Sequence, residues 1–149
     1  MYAPKNYTAS ATLTRSDADT TVTVNAAAGL TLTLPAATGL GDVFTILLGT
    51  TVTSNSVIIK VASATDWMAG AIFTSSDNAA DATISFETAT GAVGSRSDTI
   101  TLNGTTTGGI KGDRYEFVDI KLDGTNAVWL LRGSQSATGT EATPLSATV

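Results

Sequence analysis

The chain contains no cysteine and no histidine. The first absence removes disulfide scaffolds, thiolate metal sites and thiol nucleophiles. The second removes His-based triads and the usual proton shuttle near neutral pH. Charge is scarce as well: Asp, Glu, Lys and Arg make up 14% of 149 residues, against about 25% in ordinary soluble domains. The eight Lys and Arg never form a run, and the net charge is −5. A phosphate backbone would be repelled, so nucleic acid is excluded as an expected partner. No apolar run approaches the 18 residues of a membrane-spanning helix, and no apolar signal region follows Met1. Folding in a cytoplasm is the expectation. The glycosylation-type triplets beginning at Asn6 and Asn103 therefore read as chance.

What fills the composition is Thr (28), Ala (22) and Gly (14), with 42% hydrophobic residues overall. Thr favours strands, and Ala and Gly suit tight connections between them. Apolar residues alternate over short windows broken every eight to twelve residues or so by Gly, Asn or Asp, the spacing of an all-β domain. The pattern predicts an antiparallel β-sandwich or jelly roll over residues 10–132. Residues 1–9 read as an N-terminal arm, and residues 133–149, rich in Gly, Ser and Thr, as an extended C-terminal tail unable to form a core strand. The expected inward set is Leu32, Leu34, Phe44, Ile46, Ile59, Val61, Ile84, Phe86, Val118, Ile120 and Trp129.

Two local readings are sharper. Asp123-Gly124 predicts a two-residue hairpin loop that sets Leu122 opposite Thr125, Ile120 opposite Ala127 and Val118 opposite Trp129, with Phe117 on the other face opposite Leu130. Residues 42–48 carry Val43, Phe44, Ile46, Leu47 and Leu48 and leave no polar face. Such a strand is buried on both sides or lies at an interface, which predicts a homo-oligomer.

Carboxylates are the remaining catalytic material. Glu116 and Asp119, three apart in a strand, fall on opposite faces and cannot form an acid–base pair. With Asp113 they read as solvated strand-end charges beside Lys111, Arg114 and Lys121. Asp77, Asn78 and Asp81 lack the spacing of a calcium loop, as do Asp17 and Asp19. The Gly108-Gly109 pair is followed by no Gly-Lys-Ser/Thr, so it is not a phosphate loop, and no Ser has a base beside it. Trp129 reads as core, whereas Trp67, in an irregular stretch, retains a surface role. No catalytic residue, metal or cofactor is expected.

The run from Leu32 through Pro35-Ala36-Ala37-Thr38-Gly39-Leu40-Gly41 into Val43-Phe44-Thr45-Ile46 resembles a pattern in virion proteins of tailed bacteriophages. Similar segments are Val57–Val61 followed by Asp66, Met68 and Gly70, then Gly112-Asp113, Trp129, and Thr138 through Pro144. The resemblance covers most of residues 30–149. It implies a non-enzymatic capsid decoration (cement) or head-fibre protein, usually trimeric, and supplies no catalytic residues. The leading expectation is a homotrimer on the capsid surface of the virion, bound to the major capsid protein, after time in the host cytoplasm. The runner-up is a fibre or tailspike module that binds a host cell-surface glycan, and a secreted carbohydrate-binding or adhesin module comes third. The arms are the expected contact segments, through Tyr2, Pro4, Tyr7, Pro144, Leu145 and Val149.

Overall fold

Thr alternating with Val or Leu gives strands such as TVTV at 21–24 and LTLT at 30–33 one apolar and one hydroxyl-bearing face, and the described residues form twelve strands in all. A computed structural model describes residues 3–78, 83–122 and 124–149. The strands are β1 (Lys5–Tyr7), β2 (Ala11–Thr12), β3 (Thr21–Val24), β4 (Leu30–Thr33), β5 (Val43–Leu48) and β6 (Val57–Lys60). They continue as β7 (Met68–Ser76), β8 (Ile84–Glu87), β9 (Thr99–Leu102), β10 (Arg114–Lys121), β11 (Ala127–Ala137) and β12 (Leu145–Ser146). The one helical element among the described residues is a 3-10 turn, Arg15–Asp17. No helix there is long and apolar enough to cross a membrane.

The protein is all-β, as the alternation predicts, but the sheets are mixed rather than antiparallel. A seven-stranded sheet runs β1-β3-β5-β10-β11-β7-β8 and a five-stranded sheet runs β12-β9-β6-β4-β2. The first six strands alternate between the two sheets. Each sheet therefore receives its strands in the same direction, and β1/β3, β3/β5, β2/β4 and β4/β6 are all parallel. The hairpin β10–β11 is inserted beyond β5, and β11 then pairs in parallel with β7 over nine residues. Side chains of both sheets meet in one cluster, including Val22, Leu32, Leu34, Phe44, Ile46, Ile59, Phe117, Trp129 and Leu131.

Seven of the eleven residues expected to point inward are at most 1% exposed: Leu32, Leu34, Phe44, Ile46, Ile59, Val61 and Trp129. Ile84 and Phe86 take the core-side direction, opposite buried Thr74 and Ile72, but they lie on an edge strand and stay half-exposed. Val118 and Ile120 are corrections. The hairpin register is one residue off the expected one, with Phe117 opposite Leu131, Val118 opposite Leu130 and Asp119 opposite Trp129. The last pair is Lys121 with Ala127, so the connection holds five residues instead of two; Asp123 lies outside the described ones. Tyr115 and Phe117 consequently turn inward with Trp129, while Val118 and Ile120 face out. Burying two aromatic rings removes more apolar surface than burying a Val and an Ile.

The terminal segments are also less arm-like than their composition suggests. Lys5–Tyr7 adds β1 to the seven-stranded sheet, and Leu145–Ser146 adds β12 to the other. Strand β11 runs through residue 132 to Ala137, with Gln135 and Ala137 2% and 1% exposed. Gly133, Gln135 and Ala137 occupy the inward positions, so the segment has the period of a strand without large apolar residues to announce it.

Candidate functional site

Four carboxylates expected at the surface or unremarked in the sequence are buried: Asp17, Asp98, Asp113 and Asp119 are at most 4% exposed. Each binds a segment of the same chain. Asp113 accepts the N–H groups of Gly109 (2.8 Å), Ile110 (3.0 Å) and Ser136 (2.8 Å), although burial pushes its carboxyl above the ordinary range. Asp98 accepts the N–H groups of Thr148 (2.8 Å) and Val149 (3.3 Å) and so fastens the C-terminus. Asp119 accepts the N–H groups of Thr38 (2.9 Å) and Gly39 (2.6 Å) and the Thr38 hydroxyl (2.8 Å). Arg15 pairs with Asp42 and reaches Asp119 at 3.5 Å. The solvated reading of Asp113 and Asp119 is therefore corrected, whereas Glu116 is half-exposed and bonded to Arg114 at 2.9 Å. Lone pairs filled by backbone donors suit a carboxylate to holding loops.

Asp17 ties down β1. Its carboxylate accepts from the Lys5 ammonium (2.6 Å), the Tyr7 hydroxyl (3.1 Å) and the Thr14 N–H (2.7 Å). Burial pushes the carboxyl up, but the bonds from Lys5, Thr14 and Tyr7 outweigh it and hold the group at about 2, below its usual 3.8. The folded value lies below the unfolded one. The resulting stabilisation, about 1–2 kcal/mol after screening of the half-exposed Lys5, is complete above the unfolded value and lost as pH falls through the folded one. Urea midpoints of the wild type and Asp17→Asn should differ by a constant amount near neutral pH and converge toward pH 2.

The contact residues expected from the sequence are dispersed. Tyr2 lies outside the described residues, and Pro4 is exposed. Tyr7, Leu145 and Val149 pack against the protein's own core, and Pro144 is buried with its carbonyl accepting from Thr101. Tyr7 is on an edge strand of one sheet and Leu145 on an edge strand of the other. Trp67 is half-buried beneath the Arg96 guanidinium, 5.0 Å from its ring centroid. Asp77 accepts from the Gly139 N–H at 3.3 Å; Asp81 lies outside the described residues. No group of three or more acidic side chains able to hold a metal occurs among the described residues.

Two features of the seven-stranded sheet's outer face stand out. Val43, Val118, Leu130 and Ala69 are Cα partners on four adjacent strands, β5, β10, β11 and β7. They form an apolar row across the sheet, three of its members half-exposed. The row continues toward exposed Ile120 (36%) and Leu122 (52%) at the end of β10; Leu40 (76%) is exposed in the turn that Asp119 holds. The second feature is a shallow concavity of about 480 Å3 between β11, β7 and β8, beside exposed Phe73. The double-sided apolarity of residues 42–48 signalled the row; nothing local in the sequence signalled the concavity. No protein-family model, curated protein or solved structure matches the chain.

Proposed function

We propose that the chain is a non-enzymatic structural protein of a tailed-bacteriophage virion, a decoration protein that binds the outer capsid surface as a homotrimer. The observation that carries this reading is the apolar row Val43–Val118–Leu130–Ala69 with Ile120, Leu122 and Leu40 near one end. An apolar row of half-exposed residues that runs toward exposed Ile120, Leu122 and Leu40 favours a protein partner. The loose resemblance of residues 30–149 to virion proteins supplies the kind of partner, the major capsid protein. It also supplies the compartment: host cytoplasm first, then the capsid surface.

The contact moves accordingly from the termini to the sheet face, since Tyr7, Pro144, Leu145 and Val149 are engaged within the subunit. In this reading the two sheets are the layers of a β-sandwich whose N-terminal half winds from one layer to the other. Three copies of one modest contact raise avidity without a strong single contact. Co-sedimentation with undecorated capsids tests the proposal. The wild type should pellet with the shells and the double variant Leu40→Asp, Leu122→Asp should bind at least about tenfold more weakly while keeping its β-sheet circular dichroism. A wild-type protein that stays in the supernatant and scatters light as a monomer at micromolar concentration would overturn it.

A further inference from the structure

The concavity between β11, β7 and β8 has a specific chemical character. Its floor is Gly70 and Ala71. Gly70, at φ +143°, has no room for a side chain: a Cβ there would sit 1.9 Å from the Leu131 carbonyl oxygen. Thr88 clamps the same residue, its hydroxyl accepting from the Gly70 N–H at 2.8 Å and its own N–H donating to the Gly70 carbonyl at 3.0 Å. The floor is therefore fixed before any ligand arrives.

The walls carry opposite charges that are not spent on each other. Arg132 and Glu87 are the Cα partners of Ala71 on its two flanking strands. Two strand spacings separate them, about 9.6 Å between backbones. Both are exposed, and neither side chain makes a hydrogen bond or ion pair with another described residue. The carboxylate directly across from Arg132 is Glu116, which is committed to Arg114 at 2.9 Å. Two residues along β7 from Ala71 stands Phe73, 55% exposed, with only Ser134 and Ser85 as its cross-strand partners.

We propose that this concavity binds a neutral saccharide, a pyranose lying over Ala71 with its apolar C–H face against Phe73. Guanidinium only donates hydrogen bonds and carboxylate only accepts them. A ring bearing vicinal hydroxyls does both, and satisfies Arg132 on one side and Glu87 on the other. The two side-chain charges sum to zero, so the site as a whole carries no net charge to draw in a charged ligand. The volume lies within the usual range of small-ligand sites. This site adjoins one end of the apolar row, Ala71 and Arg132 lying two residues along from Ala69 and Leu130, but it does not rest on the capsid reading.

Saturation-transfer NMR and calorimetry of the full chain with maltohexaose, cellohexaose and mannohexaose, and with an oligosialic acid as charged comparator, test it. At least one neutral hexaose should bind in the micromolar to millimolar range, more tightly than the comparator. Phe73→Ala, Arg132→Ala and Glu87→Gln should each weaken that binding roughly tenfold. These positions are exposed, and unchanged thermal unfolding will show that the fold is kept. The Leu40→Asp, Leu122→Asp variant should bind the sugar like the wild type. Absence of transfer to every neutral hexaose at about 10 mM, stronger binding of the comparator, or wild-type binding by Phe73→Ala and Arg132→Ala overturns the proposal.

Discussion

Trp129→Ala should destabilise the protein by about 3–5 kcal/mol, read as a lower urea midpoint with an unchanged m-value. The indole is fully buried and is the largest of the buried side chains. It meets Phe44 of β5, the strand beyond β10, edge-on, with ring centroids 5.5 Å apart and planes at 77°. Truncation removes that contact and leaves a hole bounded by two sheets, which cannot collapse without bending strands that are hydrogen-bonded on both sides. Trp129→Phe should cost far less, about 1–2 kcal/mol. It keeps a ring against Phe44, and it deletes an indole N–H that is buried without a hydrogen-bond partner. If the two variants prove equally unstable, the ring contact with Phe44 is not what the position supplies.

The same hairpin shows how far a strand pattern can be read. In β3 and β4 the apolar residues recur with period two and the faces follow directly: Val22 and Val24, Leu30 and Leu32 are all buried. Strand direction does not follow. A half-buried strand has the same alternation in a parallel or an antiparallel neighbourhood, so the passage of the chain between sheets left no mark. In β10 both phases carry apolar residues: Val118 and Ile120 on one, Tyr115 and Phe117 on the other. Asp119 lies in the aromatic phase, which made that phase look wet.

Its burial depends on a turn 80 residues away in sequence, where Thr38 and Gly39 supply its donors. No local rule connects the two. The concavity is hidden for a comparable reason, since Phe73, Glu87 and Arg132 come together only through the parallel β11–β7 pairing and its neighbour β8. The apolar row, by contrast, is half-visible: Val43 and Leu47 leave the outward side of β5 without the polar residues of a solvated face.

Asp119→Ala should cost about 3–5 kcal/mol, as much as a large core truncation, although it removes little apolar surface. The carboxylate is 0% exposed. Burial pushes its carboxyl up, but bonds from Gly39, Thr38 and Leu40 more than compensate and hold it below the usual range. Without it the Thr38 and Gly39 N–H groups lose their acceptor, and Arg15 keeps Asp42 as its one carboxylate partner among the described residues. Asp119→Asn should lie between: one carbonyl oxygen still accepts, but its amide N–H2 meets donors where the second oxygen met them. The sign of the pH dependence follows from a folded value below the unfolded one. Wild-type stability from this group is complete above the ordinary carboxylate range and declines in acid as the group takes up a proton. Urea midpoints of wild type and Asp119→Asn measured from pH 7 downward should therefore approach each other below about pH 4. A gap that stays constant into strong acid would mean that the shape of the side chain, and not its charge, holds the turn at Thr38–Gly39.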